Sequence, residues 1–326
     1  MSPQIDIRVG LPLPKGGLLD YARKHKLPAL VSANAFFRHK ADGPGSFKLP
    51  SPGQFDGCNV ALDSAGYVAM ARYRSYPWTL EDYIELAAAA PWAWWASADY
   101  CVEPQVASSE FDVQMRLAGT VRNYLRLCVL AEERGITQPL PVIQGWKASH
   151  YAWCADQMGL TSGSNAVQLI GVGSMCRRHL NGTSGIAAIV EVLDRVLPPG
   201  CQLHLFGVKS DGLKALAGHP RLRSIDSCAW DFGLRMSVPV GRTMDLRQTA
   251  MHAWYLRQRA ALHSQPSRLS ATQVDALLAA PLVDVTHGWA DLVMDGALEY
   301  DDAARRDQLD PDFWDDLLKA SALCDA

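Results

Sequence analysis

Long apolar runs and any large excess of charge are missing from this sequence of 326 residues. No stretch reaches the roughly 18 uninterrupted apolar residues of a membrane span, and residues 1–10 show neither the basic nor the apolar part of a secretory signal. The net charge of −3 excludes a uniformly basic nucleic-acid-binding domain, but not a local basic face. We therefore expect a soluble, cytoplasmic protein without a membrane partner.

Closely spaced cysteine pairs are also missing. The eight cysteines are scattered, with no CxxC or CxC spacing, which argues against a zinc ribbon and a secreted disulfide framework. We expect reduced thiols, mostly packed as small hydrophobic side chains. Hydrophobic residues make up 48% of the chain and charged residues only 20%, which is globular usage and excludes a disordered or fibrous protein.

What the chain does contain is a repeated alternation of short β-rich runs with helical patterns, typical of a parallel sheet built from βα units. Eight strands close a barrel, so we predict a (β/α)8 TIM-like barrel over residues 1–243. Beyond residue 243 only helical patterns follow, which predicts a helical extension over residues 244–326 packed on the barrel. The eight candidate strands are residues 5–9, 29–33, 59–62, 92–98, 141–144, 167–170, 202–206 and 223–225.

Several predicted helices have recognisable ends. Thr79 opens the segment TLEDYIELAAAA as an N-cap, and a long helix over residues 110–134 lies between Ser109 and Gly135. Residues 37–55 form the longest segment without periodicity, and we expect it to be the most mobile part of the chain. Further helices are predicted over residues 149–158, 184–197, 244–262, 271–280 and 310–322.

Polar residues and glycines follow successive candidate strands. Because the carboxyl ends of barrel strands face the active site, these residues should converge on one mouth. A single Asp there is commonly a turn residue and a single Gly is commonly conformational, but the repetition favours a site. The residues are Asp63, Ser64, Asp99, Gln144, Gly171, Gly173, Phe206, Gly207 and Asp226.

The residue types indicate chemistry at a nucleoside. Three carboxylates without metal-binding histidines favour acid/base and nucleophilic work at a sugar carbon. Gln144 beside Asp99 suits the edge of a purine, because a carboxylate accepts from N–H groups and a carboxamide bonds to a carbonyl. Tyr67 and Phe206 are candidates for stacking on a planar base.

At these residues the sequence resembles the tRNA-guanine transglycosylase superfamily, and most closely its DpdA-like 7-deazaguanine DNA transglycosylase branch. The matching segments occur in the family order over roughly residues 25 to 235, and VSANAFFRHK at 31–40 also looks like the DNA branch. They are LDSAGYVAM at 62–70, ASADYCVEP at 96–104, VIQGW at 142–146, IGVGS at 170–174, LHLFGVK at 203–209 and SIDSCAW at 224–230.

The resemblance implies that guanine in DNA is exchanged for a 7-deazaguanine, with 7-cyano-7-deazaguanine as the expected base. Asp226 stands at the position of the family's nucleophile, which forms a covalent glycosyl-enzyme intermediate, and Asp63 at that of the general acid/base. The base-binding positions implied by the resemblance are Ser64, Tyr67, Asp99, Gln144, Gly171, Val172, Gly173 and Phe206.

The sequence departs from the tRNA enzymes at their CxCxxC-plus-His zinc site. The corresponding region offers only dispersed candidates, so we predict no zinc of that type and no other cofactor. The different residues around SIDSCAW also put recognition of a tRNA anticodon loop in doubt. The dispersed candidates are Cys228, Cys324, His252, His263 and His287.

A duplex DNA substrate would have to present an extruded guanosine, and its phosphates would need cations around the mouth. For each candidate cation a solvated surface position is the alternative. The expected partners are DNA and the free 7-deazaguanine base, with accessory DNA-modification proteins as further candidates. The candidate phosphate contacts are Arg38, Lys40, Arg72, Arg74, Arg177, Arg178 and Arg242.

Three other functions stay open at this point. A transglycosylase acting on RNA would need a zinc-containing RNA-binding part elsewhere or in a partner. A non-catalytic, nucleic-acid-binding accessory subunit is disfavoured by the intact Asp63, Asp99 and Asp226. A barrel glycosidase is disfavoured because Gln144 and the strand-end glycines suit a purine better than a pyranose.

Overall fold

A computed structural model describes residues 5–40, 43–104, 107, 109–162, 168–176, 178–208, 210–262 and 271–278. The predicted helix at 310–322 lies outside these ranges. The described fold is mixed α/β, with a seven-stranded parallel sheet in the order β5-β2-β1-β9-β8-β7-β6. Its strands are β1 Asp6–Leu11, β2 Ala29–Ser32, β5 Val60–Asp63, β6 Val142–Ile143, β7 Leu169–Val172, β8 Gln202–Leu205 and β9 Leu222–Ser227.

The sheet is curled into a half-barrel, and the prediction of a closed eight-stranded barrel is wrong. The candidate strand at 92–98 lies between the two edges of the sheet but forms no regular ladder with either. It is joined to them by the bridges Leu62–Trp95 and Ala96–Leu140 and by a few backbone hydrogen bonds around these pairs. Leu140 stands between Pro139 and Pro141, which have no N–H to donate. The pairing therefore cannot extend into a regular ladder on that side.

The described helices pack around this sheet. The N-cap predicted at Thr79 is confirmed, and it forms a capping box with Asp82. Thr79 Oγ1 accepts from the Asp82 N–H at 3.0 Å, and Asp82 Oδ2 accepts from the Thr79 N–H at 3.1 Å. The long helix runs over the predicted residues and ends at Gly135, whose φ is 69°. The helices are α1 Gly17–Lys24, α2 Gly66–Val68, α3 Leu80–Ala88, α4 Glu110–Arg134, α5 Ala148–Gln157, α6 Ile186–Val196, α7 Ser210–Ala215, α8 Ala229–Ser237, α9 Met244–Ala261 and α10 Ala271–Leu278, and a π-helical turn, Ala69–Tyr73, follows α2.

The described part of the predicted extension packs on the sheet and its helices. Helix α9 contacts α1, α7, α8 and β1, and α10 contacts α5 and α6. Met251 and Trp254 of α9 are buried in the main hydrophobic core. The division at residue 243 stays a prediction. No helix in the described ranges combines the length and the apolar character needed to cross a membrane.

The segment expected to be most mobile contains an antiparallel hairpin, β3 Phe37–Lys40 and β4 Gly43–Phe47. The rings of Phe37 and Phe47 pack against Trp78, with centroid distances of 5.0 and 4.9 Å. Aromatic packing thus orders residues that carry no clear periodicity. The hairpin lies at the mouth, beside the helix that follows Asp63: His39 Nε2 is 3.0 Å from the hydroxyl of Tyr73.

Candidate active site

Asp63 lies at the carboxyl end of β5, where the chain turns sharply. Its Oδ2 accepts a 3.0 Å hydrogen bond from the N–H of Ala65, whose φ of 70° places it in the left-handed region. A non-glycine residue in this region is uncommon and often marks a functional turn. The turn holds the Asp63 carboxyl group at the end of the strand, as the sequence predicted for strand-end residues.

The surroundings of Asp63 raise its pKa to about 7. Burial is the main cause, and the negative charges of Asp99 and Asp226 add to it, while the Ala65 N–H opposes it. The structure therefore brings the three predicted carboxylates close enough to interact. A carboxyl group with a pKa near neutrality can both donate and accept a proton at physiological pH.

Asp99 and Gln144 are buried and bonded to each other in what we call the Asp99 network. Ser64 Oγ donates to Asp99 Oδ1 at 2.7 Å, and Gln144 Nε2 donates to Asp99 Oδ2. Ser174 Oγ donates to Gln144 Oε1 at 2.7 Å and accepts from the Val102 N–H at 3.1 Å. Both the Nε2 donor and the Oε1 acceptor of the Gln144 carboxamide are thus hydrogen-bonded, which fixes its orientation.

In the Asp99 network the pKa of Asp99 is raised, and Tyr76 holds the Asp99 backbone. Burial raises the pKa of Asp99, although the bonds from Ser64 and Gln144 oppose the rise. The Tyr76 hydroxyl donates to the Asp99 carbonyl at 2.7 Å and lies 3.1 Å from Ser64 Oγ. Asp99 is therefore held through its backbone as well as through its side chain.

Two glycines let the backbone lie against this network. A Cβ at Gly173 would overlap the Gln144 carboxamide, and one at Gly66 would approach Asp99 Oδ1 to 2.7 Å. At Gly171 a Cβ would come within 2.7 Å of the Phe206 ring. Gly171 and Gly173 are therefore required by the packing of Phe206 and Gln144, and contact of their backbone with a base stays a prediction.

The segment 171–173 is also tied into the sheet. The N–H groups of Gly171 and Gly173 donate to the carbonyls of Pro141 and Ile143 at 2.8 and 3.0 Å. The Val172 side chain is fully buried in the hydrophobic core. Any contact of Val172 with a base would therefore run through its backbone.

Asp226 lies on β9 and is held through one oxygen. Its Oδ1 accepts from the Gly207 N–H at 3.0 Å, and Nε2 of the buried His204 lies 3.3 Å from the same atom. Arg8 pairs in register with Asp226 on the neighbouring strand β1. Burial lowers the pKa of Arg8 to about 10, while the charges of Asp6 and Asp226 oppose this, so Arg8 stays a cation at neutral pH.

The two predicted stacking residues lie in different surroundings. Phe206 packs edge-on against His204, at a centroid distance of 4.4 Å, and against Trp94 at 6.1 Å. Tyr67, on α2, is partly buried against a small apolar cluster that includes Met70 and Cys101. Their contact with a base stays a prediction.

The profile of the family DpdA, described as DeoxyPurine in DNA protein A, matches residues 48–300. The match spans more than half of the chain and includes Asp63, Asp99, Gln144 and Asp226. The chain belongs to the DpdA family. The resemblance predicted from the short motifs is confirmed at this level, while no curated protein matches the chain.

The basic residues of this DpdA-family chain are distributed unevenly. Arg38 is exposed on β3 and donates to the carbonyls of Ala35 and Phe37, and Arg72 is exposed with its guanidinium over the Tyr73 ring at 5.3 Å. Arg74 is partly exposed at the end of the π-helical turn, with φ 72°. Arg242 donates to the carbonyls of Val238 and Pro239. Arg177 and the side chain of Lys40 lie outside the described parts.

Arg178 requires a correction, because it is buried rather than presented to solvent. Its guanidinium donates to the carbonyls of Gly145, Trp146, Ser174 and Ser184 and to the Tyr151 hydroxyl, and it stacks on the Trp146 ring at 4.1 Å. These bonds use the donors that a phosphate would need. In this DpdA-family protein Arg178 therefore supports the loops next to Gln144 and Ser174.

Sequence reasoning missed several polar residues around the site. They include His204, Ser174, Tyr76 and Arg8. A signal for His204 was present: it alternates with Phe206 along β8, and residues two apart share one face of a strand. Ser174 directly follows Gly173 and has a positive φ of 51°, a left-handed backbone conformation that is uncommon for a residue other than glycine.

The zinc prediction stays a prediction. In the described parts of the chain no group of three His, Cys, Asp or Glu side chains has an arrangement that could hold a metal ion. His263, His287 and Cys324 lie outside those parts.

Proposed function

We propose that this DpdA-family protein is a DNA transglycosylase that exchanges guanine for a 7-deazaguanine, specifically 7-cyano-7-deazaguanine, through a covalent intermediate on Asp226. The observation that carries the proposal is the pair formed by Asp63, with its pKa raised to about 7, and Asp226, whose charge contributes to that rise. One group can exchange a proton with a base while the other attacks the sugar. The family description, DeoxyPurine in DNA protein A, supports DNA as the polymer.

The first half-reaction removes guanine. Asp226 attacks C1′, a carboxylate–C1′ bond forms, and the C1′–N9 bond breaks with its electron pair going to the base. The Asp63 carboxyl group gives its proton to the departing base. In the second half-reaction Asp63 takes the N9 proton of the incoming 7-deazaguanine, whose N9 attacks C1′ and releases Asp226.

The Asp99 network supplies groups that suit a purine edge. Asp99 offers carboxylate acceptors to ring N–H and amino groups, and Gln144 is fixed beside it by Ser174. Ser64 acts through Asp99, since it donates to that carboxyl group. Phe206, Tyr67 and the backbone at 171–173 complete the proposed base site.

Extrusion of the target nucleotide is part of the proposal, because C1′ of a stacked nucleotide is inaccessible to a carboxylate in an enclosed site. The exposed Arg38 and Arg72 are the strongest described candidates for phosphate contacts, because the hairpin and the π-helical turn flank the end of β5. Arg74 and Arg242 are further candidates, as are Lys40 and Arg177 on sequence grounds. The intact carboxylates argue against a purely accessory role.

The assay uses duplex DNA and tRNA labelled in guanine, each incubated with 7-cyano-7-deazaguanine. We expect release of label from DNA and none from tRNA. Release from tRNA alone would overturn the DNA assignment, and no release from either would favour an accessory subunit. Asp226→Asn should abolish release, whereas Asp211→Asn, at a side chain that is 87% exposed, should leave it unchanged.

The pKa of Asp63 predicts opposite pH dependences for the two half-reactions. Guanine release needs the protonated acid and should decline as pH rises above about 7. Incorporation into a preformed intermediate needs the carboxylate and should decline as pH falls, with its midpoint below that of release, because the bond to C1′ removes the Asp226 charge that helps to raise the Asp63 pKa. Single-turnover measurements of each step between pH 5 and 9 test this, and identical profiles for the two steps would contradict it.

A further inference from the structure

The nucleophile proposed above has a buried histidine neighbour that the exchange mechanism does not use. His204 lies on β8 and is fully buried, with Nε2 3.3 Å from Asp226 Oδ1 and Nδ1 2.8 Å from Ser224 Oγ. Ser224 and Asp226 lie two residues apart on β9, so one strand supplies both neighbours of the ring.

The chemistry of these neighbours selects one tautomer. Burial lowers the pKa of His204, so the ring is neutral and carries a single N–H. A carboxylate can only accept, whereas the Ser224 hydroxyl can also donate. Both contacts are favourable only if Nε2 carries the proton and Ser224 donates to Nδ1.

The other groups around the His204 ring are compatible with its neutral form. Trp94 lies against His204 at a centroid distance of 4.8 Å, and the guanidinium of Arg8 lies over the same Trp94 ring at 5.2 Å. The positive charge of Arg8 disfavours a second proton on the imidazole, whereas Asp226 and Asp6 favour one. Burial is the largest influence, so the neutral ring prevails.

The N–H of this tautomer has one acceptor within reach. Nε2 makes no well-aligned hydrogen bond, and its approach to Asp226 Oδ1 is the contact that the structure shows for it. Hydrogen bonds of catalytic groups are often long or poorly aligned in the free enzyme and tighten when substrate binds. A fully buried donor 3.3 Å from the nucleophile can therefore form this hydrogen bond during the reaction.

We propose that His204 is a positioning residue that, together with the Gly207 N–H, holds Oδ1 of Asp226 so that Oδ2 attacks C1′. The inference rests on the proposed function. Both donors meet the same oxygen, which leaves the other for the new bond. When the incoming base displaces Asp226 the carboxylate charge returns, and the same donors stabilise the leaving group.

The test compares a variant that loses the His204 N–H donor with a variant that supplies another N–H donor in its place. His204→Leu removes it, and His204→Gln places an amide N–H near the position of Nε2. His219→Leu is the matched control, since His219 is also buried but lies in the turn before β9, where its Nδ1 accepts from the Arg221 N–H. Melting temperature, kcat and KM for the free base, and the amount of covalent adduct trapped on denaturation are measured for each.

We expect His204→Leu to lower kcat by about 10- to 100-fold, the loss typical of one hydrogen bond to a charged group, with KM for the base unchanged. The trapped adduct should persist longer after the base is added, because displacement of Asp226 is slowed. His204→Gln should recover most of the rate, and His219→Leu should keep wild-type kcat. Ser224→Ala, which removes the partner of Nδ1, should cause a smaller loss in the same direction.

The failures are distinguishable. If His204→Leu keeps wild-type kcat while Asp226→Asn is inactive, the positioning role is wrong and the proposed function stands. If His204→Leu and His204→Gln lose activity equally and in step with melting temperature, the histidine is only structural and the inference is overturned. If Asp226→Asn is itself active, the proposed mechanism fails.

Discussion

Asp63→Asn should stabilise the folded protein above neutral pH, even though it should abolish exchange. Asn keeps the size of Asp and can still accept from the Ala65 N–H, but it carries no charge. In the wild type, folding raises the pKa of Asp63 from 3.8 to about 7. The folded state therefore binds the proton more tightly than the unfolded state, and stability falls as pH rises through this window.

The size of the effect follows from the pKa change. Each unit corresponds to about 1.36 kcal/mol, so the ionised carboxyl group costs the folded state about 4 kcal/mol once the pH is above 7. About 2 to 3 kcal/mol of this is lost between pH 5 and pH 8, because part of it is already lost at pH 5.

Urea unfolding of wild type and Asp63→Asn at pH 5 and pH 8 measures this difference. The free energy of unfolding of the variant, relative to wild type, should rise by about 2 to 3 kcal/mol between the two pH values. Asp211→Asn, at an exposed carboxylate, should show no such rise. Parallel pH dependence of wild type and Asp63→Asn would refute the raised pKa and, with it, the assignment of Asp63 as the acid/base.

Two further substitutions test which residues shape the base site and which stabilise the loops around it. Gly173→Ala should raise KM for the free base by at least about 10-fold, since its Cβ would displace the Gln144 carboxamide. Gly233→Ala, in open space on α8, is the control and should leave KM unchanged. Initial rates measured over a range of base concentrations give KM for both variants. Arg178→Ala should lower the free energy of unfolding by about 3 kcal/mol or more, because several buried carbonyls lose their donor, while the salt dependence of DNA binding stays as in wild type. A reduced salt slope at wild-type stability would restore Arg178 as a phosphate contact.

Local signals predicted α3, α4, α5, α6 and α9 close to their observed bounds, whereas α1, α7 and α8 were not predicted. The long helix over 110–134 was predicted to the residue because Ser109 caps its start and Gly135 takes the left-handed conformation at its end. The strand expected at 92–98 was wrong because pairing depends on the partner segment, and the prolines flanking Leu140 act there. Such a constraint arises between segments about 45 residues apart in sequence and is invisible in a local window.

For the site, the strand-end rule predicted that Asp63, Asp99 and Asp226 would come together, and the contribution of the Asp99 and Asp226 charges to the raised pKa of Asp63 supports this. His204 was missed because a polar residue inside an apolar strand carries no end signal. Arg178 was placed on the surface because charged residues usually are there. Its burial depends on carbonyls supplied by three separate loops, which no single stretch of sequence reveals.

The Asp99 network crosses the part of the half-barrel where backbone pairing is weakest. Ser64, Asp99, Gln144 and Ser174 follow β5, the bridged segment, β6 and β7 in turn. Their side-chain hydrogen bonds therefore link four neighbouring segments, including the one at 92–98 that forms no regular ladder. The residues of the proposed base site thus also hold this part of the sheet together. A base that forms hydrogen bonds with Asp99 and Gln144 would strengthen the links between these segments. The free base would then raise the free energy of unfolding, as any ligand that binds only the folded state does.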